Sequence, residues 1–238
     1  MAEEVPAEFA DFCVYCGSVE KDNLSDDHVP PESVFPKPRP GGLITVRACK
    51  TCNGGASKDD EYFRMMLCLS QDAGDSTEAQ KNWAPILRSL ERPQAQGMKK
   101  ALLESIRPVQ AMTWSGIHLG VKMGFHIEFD RISRVIERTV RGLYFNEQKR
   151  RLPDGHDVVV YCDENLIRLP PDSLATFHQT INLPLAAVAP KVIAPGVFHY
   201  RFLIAEGGPA SAWALTFYER KTFLAITAPK ELRAGQDL

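Results

Sequence analysis

Cys13-Val14-Tyr15-Cys16, Asp26-Asp27-His28-Val29-Pro30-Pro31, Cys49-Lys50-Thr51-Cys52-Asn53 and Ser57-Lys58-Asp59-Asp60-Glu61-Tyr62-Phe63 follow one another in the first third of the chain. Each Cys-x-x-Cys pair lets two sulfurs from one turn reach a common ion, and tetrahedral zinc favours thiolate sulfur. Gly17 after the first pair relieves the tight turn such a knuckle needs. Two knuckles together would close a four-coordinate structural site on Cys13, Cys16, Cys49 and Cys52, with the intervening segment pinned as a loop. Two disulfides or a redox pair are the competing readings. A redox Cys-x-x-Cys usually occurs once, within a βαβ unit that is absent here.

Working outward, Asp27-His28-Val29 reads as a short strand ended by Pro30 and Pro31. A proline-stiffened loop, Pro36 to Gly42, carries Lys37 and Arg39. Leu43-Ile44-Thr45-Val46 has the β-branched content of a second strand. From about Asp59 to Ser70 the residues Tyr62, Phe63, Met66 and Leu69 recur at helical spacing, and acidic residues occupy the first turn, where the helix dipole favours them.

The full chain has 238 residues, 44% hydrophobic and 24% charged, with a formal charge of −2. That is ordinary for a globular protein with a conventional core. It argues against a globally basic nucleic-acid binder while leaving room for a local basic patch. The acidic start of the sequence lacks an apolar signal segment, and no apolar run is long enough to span a bilayer. A cytoplasmic protein is expected. The remaining cysteines, Cys68 and Cys162, sit alone in apolar settings and read as small core residues.

Beyond the opening stretch, Gln71 to Ser76 is small and polar, and a boundary is placed there: residues 1–72 as one module, 73–238 as an α+β domain. Thr77 to Leu90 reads as helical but is interrupted by Pro85. A further helix is expected from Gln94 to Ile106, and a short strand from Trp114 to Leu119. Residues 130–148 give the strongest helical pattern: Asp130 as N-cap, an apolar stripe of Ile132, Val135, Ile136, Val140, Leu143 and Tyr144, and an opposite face of Arg131, Arg134, Arg138 and Arg141. A solvated face is the expectation for those arginines. Past Pro153 the chain is strand-rich, with Val158–Tyr161, Phe198–Ile204, Trp213–Tyr218 and Thr222–Ile226 suggesting an antiparallel meander. The first 12 and the last five residues read as a polar lead-in and a loose tail. The fold class is α+β.

The polar residues inside the cysteine frame suggest chemistry. Phosphodiester hydrolysis needs a general base for water and a hard cation to neutralise developing charge. Imidazole suits the first role, which falls to His28. A carboxylate and an amide oxygen, Asp27 and Asn53, suit Mg²⁺ or Mn²⁺. Because neighbouring strand residues point to opposite faces, Asp27 and His28 can cooperate only if the strand end twists. Taken singly, His28 could be an ordinary turn histidine and Asn53 a helix cap.

The order of these pieces resembles the zinc-containing branch of the HNH endonucleases. The resemblance covers Cys13 to Phe63 and implies a ββα-metal module. By position it assigns structural Zn²⁺ to the four cysteines, a catalytic divalent ion to Asp27 and Asn53, and the base to His28. Many members carry an Asn ahead of the second strand, where this chain has Gly41-Gly42-Leu43. The implied activity is divalent-metal-dependent cleavage of phosphodiester bonds, in DNA rather than RNA, with Lys37, Arg39, Arg47, Lys50 and Lys58 as phosphate contacts. The alternative is a non-catalytic, zinc-dependent nucleic-acid-binding module. The C-terminal domain would serve targeting, oligomerisation (including a homo-oligomer) or regulation.

Overall fold

The computed structural model describes residues 11–19, 23–112, 117–166 and 168–232. The expected lead-in before Asp11, the tail from Ala234 and the start of the Trp114–Leu119 strand lie outside the described residues. Strands β1 (Leu24–His28) and β2 (Thr45–Cys49) form an antiparallel hairpin in which Asp27 faces Val46 and His28 faces Thr45. The chain runs directly into α1 (Lys50–Gly54) and then α2 (Ser57–Leu69). Strand, strand, helix is therefore the order of the opening stretch.

Short helices follow: α3 (Gln71–Gly74), α4 (Thr77–Gln80), α5 (Trp83–Leu90) and α6 (Gln96–Ser105). Pro85 breaks nothing. It sits in the first turn of α5, where a backbone N–H has no intrahelical partner to lose, and the interruption falls at Lys81–Asn82 instead. Strands β3 (Arg107–Met112) and β4 (His118–Gly124) pair as an isolated ribbon. Helix α7 (Phe129–Gln148) follows, its N-cap at Glu128 rather than Asp130, which lies in the first turn.

Strand β5 (His156–Tyr161), helices α8 (Asp163–Leu166), α9 (Pro171–Phe177) and α10 (Leu183–Ala187), and strands β6 (Lys191–Ala194), β7 (Phe198–Ile204), β8 (Ser211–Phe217) and β9 (Lys221–Pro229) complete the chain. The strands form one antiparallel sheet in the order β5-β9-β8-β7-β6, so the protein is mixed α+β with antiparallel sheets. The expected meander is its β7-β8-β9 portion. Helices α8 to α10 cover one sheet face through Leu166, Leu185 and Leu224.

On the other face, one contiguous core joins Val14, Val29, Val46 and Phe63 to Ile136, Tyr144, Phe198 and Trp213. Packing therefore runs without a break across residue 72. Helix α2 carries a wide apolar face, Tyr62, Phe63, Met65, Met66 and Leu67, because it lies between α7 and the sheet. Phe63 meets Phe217 edge-on at 5.2 Å, and burying such a ring contributes on the order of 2 kcal/mol. Cys68 and Cys162 are buried and not bridged by a disulfide, as small core residues should be. Gly142 of α7 lies against Val29: a Cβ there would meet the valine at 2.6 Å, so only glycine lets the helix approach the end of β1.

The hairpin between β8 and β9 turns through Tyr218 and Glu219 at φ 53° and 58°, a left-handed conformation that side chains disfavour. The Tyr218 side chain over-determines it. Fully buried, its hydroxyl donates to the Val34 carbonyl at 2.7 Å and accepts from the Asn82 amide at 2.9 Å. Asn82 also donates to Val34 O at 3.0 Å. The segment leaving His28 is thereby tied to the sheet and to α5. Among the described residues no helix is long and apolar enough to cross a membrane.

Candidate metal centre and adjoining cleft

The four predicted cysteines converge. Cys13 and Cys16 lie in a knuckle closed by the Gly17 amide donating to Cys13 O at 2.8 Å, with Gly17 at φ +77°. The Val14 amide donates to Arg47 O at 2.9 Å and fastens the knuckle to β2. Cys49 ends β2 and Cys52 lies one turn into α1. All four Sγ atoms fall within 4.8 Å of one another, and Cys16 Sγ and Cys49 Sγ are 3.8 Å apart. A tetrahedron with metal–sulfur bonds of about 2.3 Å has edges of about 3.8 Å. The cluster is thus dimensioned to hold a structural metal such as zinc.

Electrostatics around the sulfurs agree with the geometry. The Cys52 amide donates to Cys49 Sγ at 3.5 Å, and that bond pulls the Cys49 thiol down to about 7. Burial pushes the neighbouring Cys52 thiol up, and the adjacent sulfurs add to it, since one thiolate disfavours the next. A bound cation removes this competition by favouring thiolate on all four. The Arg151 guanidinium, against Gly17, adds positive charge beside Cys16 and Cys13.

Directly beyond the hairpin, a cleft of about 630 Å³ is lined by Asp27, His28 and Asn53 together. Each owes its place to a different local cause. His28 is the last residue of β1 and is half-buried where the strand ends and the chain bends at Val29. Asp27 is only 6% exposed: its Oδ2 accepts from the Tyr15 hydroxyl at 2.8 Å and lies 3.6 Å from Arg138 Nε. Burial, and then the Asp27 charge, hold the Tyr15 hydroxyl firmly protonated, so it acts as donor. Asn53 on α1 donates through Nδ2 to Ser25 Oγ at 3.0 Å and Asp26 O at 3.3 Å. Both bonds use its nitrogen, which leaves the amide oxygen to accept a cation.

Asp60, in the first turn of α2, lines the same cleft and also bonds Arg138. Burial pushes the Asp60 carboxyl up, with Asp27 and Asp59 adding like charge, despite that guanidinium. Arg138, serving two carboxylates, is itself held above its usual value even though burial opposes this. Both shifts are upward: burial disfavours the charged Asp60, while at Arg138 the two carboxylates outweigh burial and favour the charged form. Asp60's upward shift is owed first to burial, and only then to the charges of Asp27 and Asp59. Carboxylate and amide oxygens are the kinds of ligand that suit a hard cation.

The predicted phosphate contacts separate. Lys37 and Arg39 line the cleft, Arg39 paired to Glu32 at 2.8 Å. Arg47 pairs instead with Asp26 at 3.0 Å, Lys50 is exposed at the start of α1, and Lys58 borders a different groove with Asp59 and Arg131. Gly42, where related patterns carry Asn, turns at φ +75° and has open space where a side chain would stand, so no neighbour calls for one there.

The arginine face of α7 is engaged in ion pairs, with Arg131 and Arg138 largely buried and Arg134 still 57% exposed. Arg131 donates to Asp59 at 2.8 Å and stacks 4.2 Å over the Tyr62 ring; Arg134 reaches the other Asp59 oxygen at 2.7 Å; Arg138 takes Asp60 and Asp27. These pairs zip α7 to the acidic start of α2. The sequence signal is present as complementary patches, Asp59-Asp60 and an i, i+3, i+7 arginine row, but nothing local says that they meet. Tyr15, Asp60 and Arg138 escape sequence reasoning for that reason. No protein-family model matches the chain, and neither the curated proteins nor the solved structures contain a match to it.

Proposed function

We propose that the protein is a divalent-metal-dependent, HNH-type endonuclease that hydrolyses phosphodiester bonds in DNA, with a zinc scaffold on Cys13, Cys16, Cys49 and Cys52. The observation that carries this reading is the shared cleft of Asp27, His28 and Asn53, set on the hairpin and helix that the four cysteines staple together. The His28 imidazole takes a proton from a water as that water attacks phosphorus from the side opposite the leaving oxygen. The phosphorus–O3′ bond breaks and the departing O3′ oxygen takes a proton from solvent water, leaving a 5′-phosphate and a 3′-hydroxyl. A divalent cation held by the Asp27 carboxylate and the Asn53 amide oxygen would neutralise the charge that develops on the phosphate and leaving oxygens.

The surrounding residues fix these groups. The Tyr15 hydroxyl and Arg138 hold the Asp27 carboxylate, and Asn53's own amide ties α1 to β1. Lys37 and Arg39 place positive charge on the cleft wall for the backbone of the strand.

The test is plasmid nicking with Mg²⁺ or Mn²⁺, comparing wild type with His28→Ala. Cleavage by wild type and its loss in the variant support the reading. Cleavage that survives undiminished in His28→Ala removes the base assignment. If both proteins bind DNA and leave it intact with either metal, the chain is a non-catalytic nucleic-acid-binding module instead.

A further inference from the structure

The cleft continues past Asp27, His28 and Asn53 into a part of different charge. Its wall there is built by α2, α5 and the turn at Glu32–Val34, and it presents Arg64, Arg88, Arg92 and Ser33. Arg64 is mostly buried, its side chain 14% exposed, and its Nε is buried with no hydrogen-bond partner. Its ion pair with Glu61 is long, at 4.0 Å. The Ser33 hydroxyl is likewise buried without a partner. Neither Arg88 nor Arg92 makes an ion pair or side-chain hydrogen bond among the described residues, and Arg64 feels the like charge of Arg92.

Protein interiors rarely leave donors in this condition, and each such case needs a reason. Arg64 Nε and the Ser33 hydroxyl are two such buried donors, and the exposed Arg88 and Arg92 add positive charge to the same wall. The wall is not free to rearrange and satisfy them. Asn82 and the Tyr218 hydroxyl both fasten the Val34 carbonyl, and Ser89 is bonded back to Ile86 O at 2.8 Å. Arginine forks match tetrahedral oxyanions, which offer several acceptor oxygens in a small volume. At the other end the same cleft is lined by the carboxylates of Asp27 and Asp60. A lone anion would be repelled there, but a polyanionic strand whose second phosphate meets a cation at that end suits both halves.

We propose that Arg64, Arg88, Arg92 and Ser33 form a phosphate subsite that holds a phosphodiester neighbouring the scissile one on the same strand. The assignment rests on the nuclease reading of His28 for the word scissile, though not for the anion site itself. The subsite joins Ser33 of the β1–β2 connection and Arg64 of α2 to Arg88 of α5 and Arg92 just beyond it, so it makes α5 part of the substrate surface.

Two measurements separate the two claims. The first is binding of a short fluorescent duplex to His28→Ala protein over a range of salt, with and without Arg92→Gln or Arg64→Gln. Each added substitution should weaken binding about 10-fold or more and reduce the slope of log affinity against log salt by about 0.9. The second follows the Arg64 Nε–Hε resonance of wild type and of Arg92→Gln during titration with inorganic phosphate. A saturable shift in wild type that is lost in Arg92→Gln supports the subsite. If both variants stay folded, keep the parental affinity and slope, and phosphate moves no arginine resonance, the subsite is overturned while plasmid cleavage still stands. If wild type neither binds nor cuts DNA but phosphate shifts Arg64 and not in Arg92→Gln, the nuclease reading fails and the anion site survives.

Discussion

Arg138→Ala is the substitution that tests most directly how the cleft is held. The guanidinium is 11% exposed and faces Asp60, 18% exposed, and Asp27, 8% exposed. Removing it leaves two poorly solvated carboxylates beside each other with no counter-charge. Breaking a buried pair by deleting one partner typically costs about 3–5 kcal/mol, most of it from the uncompensated charge left behind. Here Asp60 retains some access to water and Tyr15 still donates to Asp27, so the lower end, about 3 kcal/mol, is expected. With a urea m value of about 2 kcal/mol/M, the unfolding midpoint should fall by about 1.5 M. Adding Asp60→Asn removes one of the stranded charges, so the double variant should be more stable than the sum of the single losses by about 1 kcal/mol or more. Arg138→Lys should recover only part, because one ammonium cannot fork between two carboxylates. A midpoint unchanged in Arg138→Ala, or strict additivity with Asp60→Asn, would refute the reasoning.

Three further outcomes are expected. Cys49→Ser should lose bound zinc on metal analysis and unfold at lower temperature than wild type; equal heat stability in a zinc-free variant would remove the structural role of the cluster. Asp59 is raised by burial but more strongly lowered by its bonds to Arg134 and Arg131, so its folded value lies below the ordinary 3.8. Its contribution is therefore complete above that value and lost as pH falls through the folded one, and Asp59→Asn should flatten the acid limb of a stability–pH curve. Gly142→Ala gains about 1 kcal/mol of helix propensity but drives a methyl against Val29, an overpacking that costs about 1–3 kcal/mol. The steric term should win, giving net destabilisation in thermal unfolding, and a more stable variant would contradict it.

Much of this architecture could be read locally. The stripe Ile132, Val135, Ile136, Val140, Leu143 and Tyr144 is buried throughout, and β7 begins and ends where its composition says. Both succeed because period and β-branching act over a few residues. The β3–β4 ribbon is barely legible in the sequence, since Pro108 and two largely exposed faces erase the alternation that marks a half-buried strand. The helices between residues 163 and 187 bury only a few apolar side chains against the sheet, so their pattern is sparse. At the site, the cysteines, Asp27, His28 and Asn53 announce themselves by spacing. Arg138, Arg64 and Arg92 do not, because their meaning depends on which helix lies opposite, and that is decided by packing far along the chain.

The arginine row of α7 also bears on how this protein can be taken apart or rebuilt. A fragment ending near residue 72 would keep all four clustered cysteines and the Asp-His-Asn trio, yet it would arrive without the guanidinium that steadies Asp27 and Asp60 and without the apolar helix that seats Val29. Grafting the hairpin onto another scaffold, or exchanging the second half of the chain, would carry over Asp27, His28 and Asn53 and strip away the contacts that hold Asp27 and Val29. A cut at Asp72 therefore leaves behind α7 and, with it, the sheet that packs on α2. Any natural recombination of this unit must move α7 with it or reinvent an arginine at the same point in space.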